Sequence, residues 1–245
     1  MKQPFNKKDY EKETTLGEWG PLAEQGFSGA QYMLGLMYQR GQGVLQNDQT
    51  AVKWYTLAAE QGHAKAQNNL GVMYRKGQGV PTDLKIAMKW YKLAAEQGHA
   101  GAQYTLGVMY FKGQGVPQKN TTAVKWYKLA AEQGFASAQF LLGGMYSKGH
   151  GVLQNDRIAV KWYTLAAEQG FAKAQLLLGA MYEKGKGVSR NLVCAYMWVN
   201  IAASQGNKDA AKNRDLLAKI MTPAQVERAQ DISTTCEKKN NKECY

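Results

Sequence analysis

Between residues 64 and 77 the apolar positions Ala66, Leu70, Met73 and Tyr74 fall at i, i+4, i+7 and i+8. That spacing predicts one buried stripe of an α-helix. Gly77 is placed to stop the helix, and Gly79 to permit the turn that follows. A second helical pattern comes next, with Ala87, Trp90, Leu93 and Ala94 as its predicted buried stripe. Asp83 stands where an N-cap is needed and Gly98 where the chain must leave the helix. Both patterns then recur. The tetrapeptide Ala-Glu-Gln-Gly occurs at 23–26, 59–62, 95–98, 131–134 and 167–170, always 36 residues apart. A degraded sixth copy, Ala203-Ser204-Gln205-Gly206, keeps the register. A fixed period of this size predicts stacked two-helix units.

Aligning the chain on this period predicts first helices near 28–40, 64–76, 100–112, 136–148 and 172–184. Second helices are predicted near 47–61, 83–97, 119–133, 155–169 and 191–205. Asn47, Asn155 and Asn191 share the capping register of Asp83; Lys119 breaks it, with Asn120 as the alternative cap. Gly71 recurs as Gly35, Gly107, Gly143 and Gly179 inside first helices, where glycine costs about 1 kcal/mol relative to alanine. A costly residue that recurs predicts close backbone approach, with the large Trp filling the gap beside small Ala and Gly. Segment 9–25 reads as a degenerate second helix, interrupted by Gly17, Gly20 and Pro21. Segment 208–219 takes a first-helix slot, and Thr222-Pro223-Ala224-Gln225 is a capping box that opens a last helix to about 236. The organisation is therefore an N-terminal half-repeat or cap (1–26), five repeats (27–206), C-terminal capping helices (207–236) and a polar tail (237–245). Residues 43–67 and 151–175 differ only at Gln49/Arg157, Thr50/Ile158 and His63/Phe171, which points to recent duplication.

Composition narrows the function. The net charge of +12 favours an acidic partner. Charged residues are only 20% of the chain and aromatics reach 11%, as expected of a folded protein and not of a basic tail. No run of 18 apolar residues is present, so no membrane-spanning helix is expected. As written, the chain carries no apolar signal segment. It is either cytoplasmic, or periplasmic or secreted after removal of a leader. Cys236 and Cys244 are a disulfide candidate, which would suit an exported protein; two free thiols in a reduced cytosol are the alternative. Cys194 reads as a small packing residue.

Candidate chemistry is sparse. His63 and His99 occupy a slot filled elsewhere by Phe27, Phe135 and Phe171, so they read as packing or surface residues and not as metal ligands. No HExxH or paired CxxC is present, and no metal or cofactor is expected. None of the six serines is followed by Lys at i+3, as a serine β-lactamase would require. The turn glycines of Gly77-Gln78-Gly79 lack the strand–loop–helix context of a dinucleotide site. Lysines are spread over both faces without a DNA-binding motif, so nucleic acid is an unlikely partner. The strictly repeated Glu60, Glu96, Glu132 and Glu168 predict a structural contact, such as one to a neighbouring unit.

The pattern Ala-Gln-x-x-Leu-Gly-x-Met-Tyr-x-x-Gly-x-Gly-Val, followed by Ala-Val-Lys-Trp-Tyr-x-Leu-Ala-Ala-Glu-Gln-Gly, resembles the Sel1-like repeat family, a 36-residue relative of the tetratricopeptide repeat. The resemblance covers roughly residues 9–235. It implies an all-α fold: a right-handed α-solenoid of stacked antiparallel helix pairs with capping helices at both ends. It also implies a non-enzymatic bacterial adaptor or scaffold. An immunity protein that neutralises a secreted effector is the alternative within the family. A cysteine-rich branch has been described as penicillin-binding or β-lactamase-like, but this chain lacks that branch's repeated cysteines. The terminal Cys236 and Cys244 are similar to those of exported members.

In the related tetratricopeptide geometry the first helices line a concave groove. The resemblance thus assigns partner binding to Tyr32, Asn68, Tyr104, Phe140 and Leu176, to Gln39, Arg75, Phe111 and Glu183, and to Arg40, Lys76, Lys112, Lys148 and Lys184. Comparison among the repeats agrees with this. The first two sets vary from repeat to repeat, while Leu70, Met73 and Tyr74 barely change. Residues needed for stacking must repeat; residues meeting a partner need not. An aromatic floor with a basic edge suits a protein, or an acidic peptide with aromatic anchors. Two plainer readings stand beside it. The aromatics would then pack between repeats, and the cations would complement helix C-terminal dipoles.

Overall fold

The computed structural model describes residues 7–239, 241 and 244, with side chains from residue 16 onward. Parts of the predicted N-terminal cap (1–26) and polar tail (237–245) lie outside those residues. The described residues form thirteen helices and no strand. They are α1 (Lys7–Glu24), α2 (Ser28–Arg40), α3 (Asp48–Glu60), α4 (Ala64–Lys76), α5 (Leu84–Glu96), α6 (Ala100–Lys112) and α7 (Asn120–Glu132). There follow α8 (Ala136–Lys148), α9 (Asp156–Glu168), α10 (Ala172–Lys184), α11 (Leu192–Ser204), α12 (Lys208–Ile220) and α13 (Pro223–Lys238). The fold is an all-α solenoid of stacked helix pairs. It divides into two compact units, Met1–Gln118 with α1–α6 and Lys119–Tyr245 with α7–α13.

Leu34, Leu70, Leu106, Leu142 and Leu178 are buried in the first helices, together with Met37, Met73, Met109, Met145 and Met181. Each first helix ends at a glycine in the left-handed region, as at Gly77 (φ 69°), whose N–H donates to the Met73 carbonyl. The glycine two residues further on ties consecutive repeats together. A Cβ on Gly79 would lie 2.4 Å from the Asp48 carbonyl group, so the turn after α4 sits directly on the start of α3. Gly115 over Leu84 repeats the arrangement in the first unit, and Gly187 over Asp156 repeats it in the second.

The buried stripe of the second helices differs from the expected one. In α5, Ala87, Tyr91, Ala94 and Ala95 are buried, while Trp90 is half-buried and Leu93 is exposed. The knob beside Gly35, Gly71 and Gly143 is therefore a tyrosine and not the tryptophan; Gly179 meets Val199 at the same position. A Cβ on Gly35, Gly71 or Gly143 would lie 2.5, 2.9 or 2.9 Å from the ring of Tyr55, Tyr91 or Tyr163. The predicted close approach is thus helix backbone against a flat ring. Trp90 instead covers the preceding core cluster around Tyr55, Leu70 and Met73.

A ladder of buried glutamines explains the Ala-Glu-Gln-Gly period. Gln67 Nε2 donates to the Ala59 carbonyl at 3.0 Å, and its Oε1 accepts from Gln97 Nε2 at 2.7 Å. One side chain so joins the ends of α3 and α5 to α4. Gln31 makes the same bridge in the first unit, to Ala23 and Gln61. In the second unit Gln139 bridges Ala131 and Gln169. Buried amides are stable only when their polar atoms are so paired. Two glutamates of the motif depart from the predicted contact to a neighbour: Glu96 and Glu132 are exposed and pair with Lys92 and Lys128 one turn back on their own helices.

Three local expectations also change. α1 runs unbroken through Gly17, Gly20 and Pro21. The proline removes one ladder hydrogen bond, but packing of Leu16, Trp19 and Ala23 against α2 holds the helix in place. α7 begins at Asn120, with Lys119 in the cap position and no side-chain cap bond. His63 and His99 are helix caps: each Nδ1 accepts from a backbone N–H, of Ala66 and Ala102 respectively. Phe27, Phe135 and Phe171, at the equivalent positions, make no such bond.

The C-terminal end is closed by α12 and α13. Thr222 and Gln225 form the full capping box. Cys236 and Cys244 are joined by a disulfide, and both lie in the core cluster of Trp198, Met197 and Ile201. Trp198 is wholly buried there, unlike the half-buried Trp90.

Candidate partner-binding faces

Each of the two units carries its own set of the predicted binding residues. In the first, Tyr32, Gln39 and Arg40 stand on α2, Asn68, Arg75 and Lys76 on α4, and Tyr104, Phe111 and Lys112 on α6. The tyrosine, asparagine, glutamine, Arg75 and Phe111 side chains are half-buried, while Arg40, Lys76 and Lys112 are exposed. In the second unit Phe140 and Lys148 stand on α8, and Leu176, Glu183 and Lys184 on α10. Phe140, Leu176 and Glu183 are half-buried; Lys148 and Lys184 are exposed.

The aromatic members are anchored from beneath. Tyr32 stacks on His63 at 4.7 Å between centroids and lies 6.0 Å from the Tyr55 ring. Phe140 lies 5.0 Å from Phe171 and 5.8 Å from Tyr163. One side of each ring is therefore spent on packing between successive helices, and the remainder stays accessible.

Sequence reasoning missed the part played by the second-helix tyrosines. Their rings are buried under the glycines, but their hydroxyls reach the first-helix face. The Tyr55 hydroxyl donates to Gln39 Oε1 at 2.7 Å and accepts from Asn69 Nδ2 at 3.2 Å. The Tyr91 hydroxyl accepts from Arg75 Nε at 3.3 Å. Burial pushes the phenols of Tyr55 and Tyr163 up to about 12 and raises that of Tyr91. They remain protonated and act as fixed hydrogen-bonding posts. The signal was present in the sequence, because Tyr55, Tyr91, Tyr127 and Tyr163 repeat strictly. The apolar pattern placed the adjacent tryptophan in the buried stripe instead.

The chemistry available is that of recognition. The faces offer half-exposed rings, amides held on tyrosine hydroxyls, and a cation at the last turn of each first helix. Among the described residues no cluster of His, Cys, Asp and Glu is arranged to hold a metal ion. No helix among them is long and apolar enough to cross a membrane.

Comparison with known proteins gives this arrangement a family. Segments 28–63, 64–99, 100–135, 136–171 and 172–207 each match the Sel1 repeat. No curated protein matches the chain. Among solved structures, a protective antigen present in uropathogenic Escherichia coli strains, displaying an SLR fold, is 39% identical with a TM-score of 0.82. The match covers 91% of this chain and 48% of the antigen, so the chain spans about half the antigen's length. A Sel1 repeat protein from Oxalobacter formigenes is 35% identical, with a TM-score of 0.79 over 93% of this chain and 95% of that one. An immunity protein from Pseudomonas aeruginosa shares the fold at 24% identity and a TM-score of 0.50, over 87% of this chain and 83% of that one. Five matched repeats and two solved structures above 30% identity lead to one conclusion: the chain belongs to the Sel1 repeat family.

Proposed function

We propose that the chain is a non-enzymatic scaffold that binds an acidic protein partner, or an acidic segment of one with aromatic or apolar anchors, on its first-helix faces. Sel1 repeats generally serve protein interaction, and proteins built from them are generally not enzymes. One observation carries the finer reading. Positions that differ between repeats, such as Tyr32/Asn68/Tyr104 and Gln39/Arg75/Phe111, are half-exposed on first helices. Positions that stay the same, such as Leu34/Leu70/Leu106 and Met37/Met73/Met109, are buried. The stack demands identity at the second kind of position and leaves the first kind free to answer to a partner. The exposed Arg40, Lys76 and Lys112 in one unit, and Lys148 and Lys184 in the other, supply the charge that selects acidic surfaces.

The test is affinity capture with the intact chain, identification of the captured protein by mass spectrometry, and titration of that protein against Arg75→Ala/Phe111→Ala. Loss of two central side chains should weaken binding by about tenfold or more, with the unfolding midpoint retained. Unchanged affinity in a folded variant overturns the proposal.

A further inference from the structure

Phe27 differs from two of its counterparts. At positions 63 and 171 an aromatic ring lies against a first-helix ring of the preceding repeat: His63 against Tyr32, and Phe171 against Phe140. In the described residues Phe27 follows α1, which occupies a second-helix place. Among the described residues no ring lies against it, and it is 58% exposed. An exposed phenylalanine at a seat that elsewhere holds a stacked pair is a half-built contact.

Beside it is an open cleft of about 830 Å³, bounded by α1, α2 and the start of α4. Trp19, Leu22, Phe27, Tyr32 and Met33 give it apolar walls, and Lys65 stands on its rim. Among the described residues no acidic side chain lines it. Lys65 is exposed, and its charge is felt by the neighbouring His63 imidazole, whose pKa it helps to lower. An apolar floor with a cationic rim suits an apolar anchor flanked by carboxylates.

We infer that this cleft is an anchor site for an acidic segment of a protein partner, which places an aromatic side chain on Phe27 as Tyr32 is placed on His63. The bound ring completes the missing stacked pair, and flanking carboxylates meet Lys65. The inference rests on the protein-binding reading above but adds a site that shares only Tyr32 with the first-helix residues of that reading.

The probe is a fluorescein-labelled peptide with one tryptophan flanked on both sides by aspartate and glutamate, read by fluorescence polarisation. Two control peptides replace the tryptophan by alanine or the acids by serine. Phe27 and Lys65 are exposed, so Phe27→Ala and Lys65→Glu should keep the unfolding midpoint. Each substitution, and each control peptide, should weaken binding by about fivefold or more, while Arg75→Ala/Phe111→Ala stays within about twofold of the unaltered chain. Absence of binding, or binding indifferent to both Phe27→Ala and Lys65→Glu, overturns the cleft. A probe that responds to Arg75→Ala/Phe111→Ala alone overturns the cleft and leaves the first-helix faces standing. A captured protein insensitive to Arg75→Ala/Phe111→Ala, with a probe that needs Phe27, supports the cleft and overturns those faces.

Discussion

At Gly71 the methyl group of an alanine would lie 2.9 Å from the ring carbons of Tyr91, a ring with no exposed surface. The ring cannot retreat into solvent, so Gly71→Ala should destabilise the protein by about 1–3 kcal/mol through overpacking. Gly144 gives the matched control. Its nearest neighbour is the Tyr163 hydroxyl at 3.5 Å, an ordinary contact. Gly144→Ala should be neutral or stabilise by up to about 1 kcal/mol, the gain in helix propensity. Urea unfolding of the two variants checks the pair, and equal effects would contradict the account. The recurring glycines were readable as close approaches from their cost alone. What approaches them was not. Tyr91 and Trp90 are adjacent, both aromatic and both strictly repeated, and the choice between them depends on the angle at which two helices meet. The same limit hid the glutamines. A buried Gln67 is indistinguishable in sequence from an exposed one until its two partners, Ala59 and Gln97, are placed in space.

The helices themselves were readable nearly to the residue, because glycine ends and Asn or Asp starts recur with the period. α1 was the exception, since its packing against α2 outweighs the proline and two glycines that argue for a break. The histidines at the start of α4 and α6 give these two helices a property the others lack. Burial lowers the pKa of His63 and His99, and for both the Lys65 charge adds to it. The folded values thus lie below the unfolded value of about 6.5. Protonation therefore favours the unfolded chain: the stability is complete above about pH 6.5 and is lost as pH falls towards and past the folded values. The cap reinforces this, because a protonated Nδ1 cannot accept the N–H of Ala66 or Ala102 and puts positive charge at a helix N-terminus. Thermal midpoints should therefore drop between about pH 7 and pH 5 by more in the unaltered chain than in His63→Phe/His99→Phe, a substitution the chain already makes at 135 and 171. Parallel pH profiles of the two proteins would count against the caps.

For the whole molecule, the repeat separates building material from recognition surface, and the C-terminal end shows what closure of the stack requires. The Cys236–Cys244 bond holds the tail on the cluster around Trp198. Cys236→Ser/Cys244→Ser should lower the stability of that closure by about 2–3 kcal/mol, the entropy cost of releasing a short loop. The readout is faster hydrogen exchange along α13. Exchange that stays the same would contradict the role given to the bond. The binding faces were readable only in outline. Variation between repeats marked out Tyr32, Asn68, Arg75 and Phe111, but the tyrosine hydroxyls beneath Gln39 and Arg75, and the unfinished stack at Phe27, depend on packing that no single repeat contains.

The central claim is that a partner meets first-helix positions and not the second-helix positions Leu57 and Leu93, which are also exposed. Site-specific photocrosslinking tests it most directly: p-benzoylphenylalanine is placed singly at Asn68, Phe111, Leu57 and Leu93, each with the captured protein bound. The account predicts covalent adducts from positions 68 and 111 and none from 57 and 93. Adducts from 57 or 93, with none from 68 or 111, would contradict it.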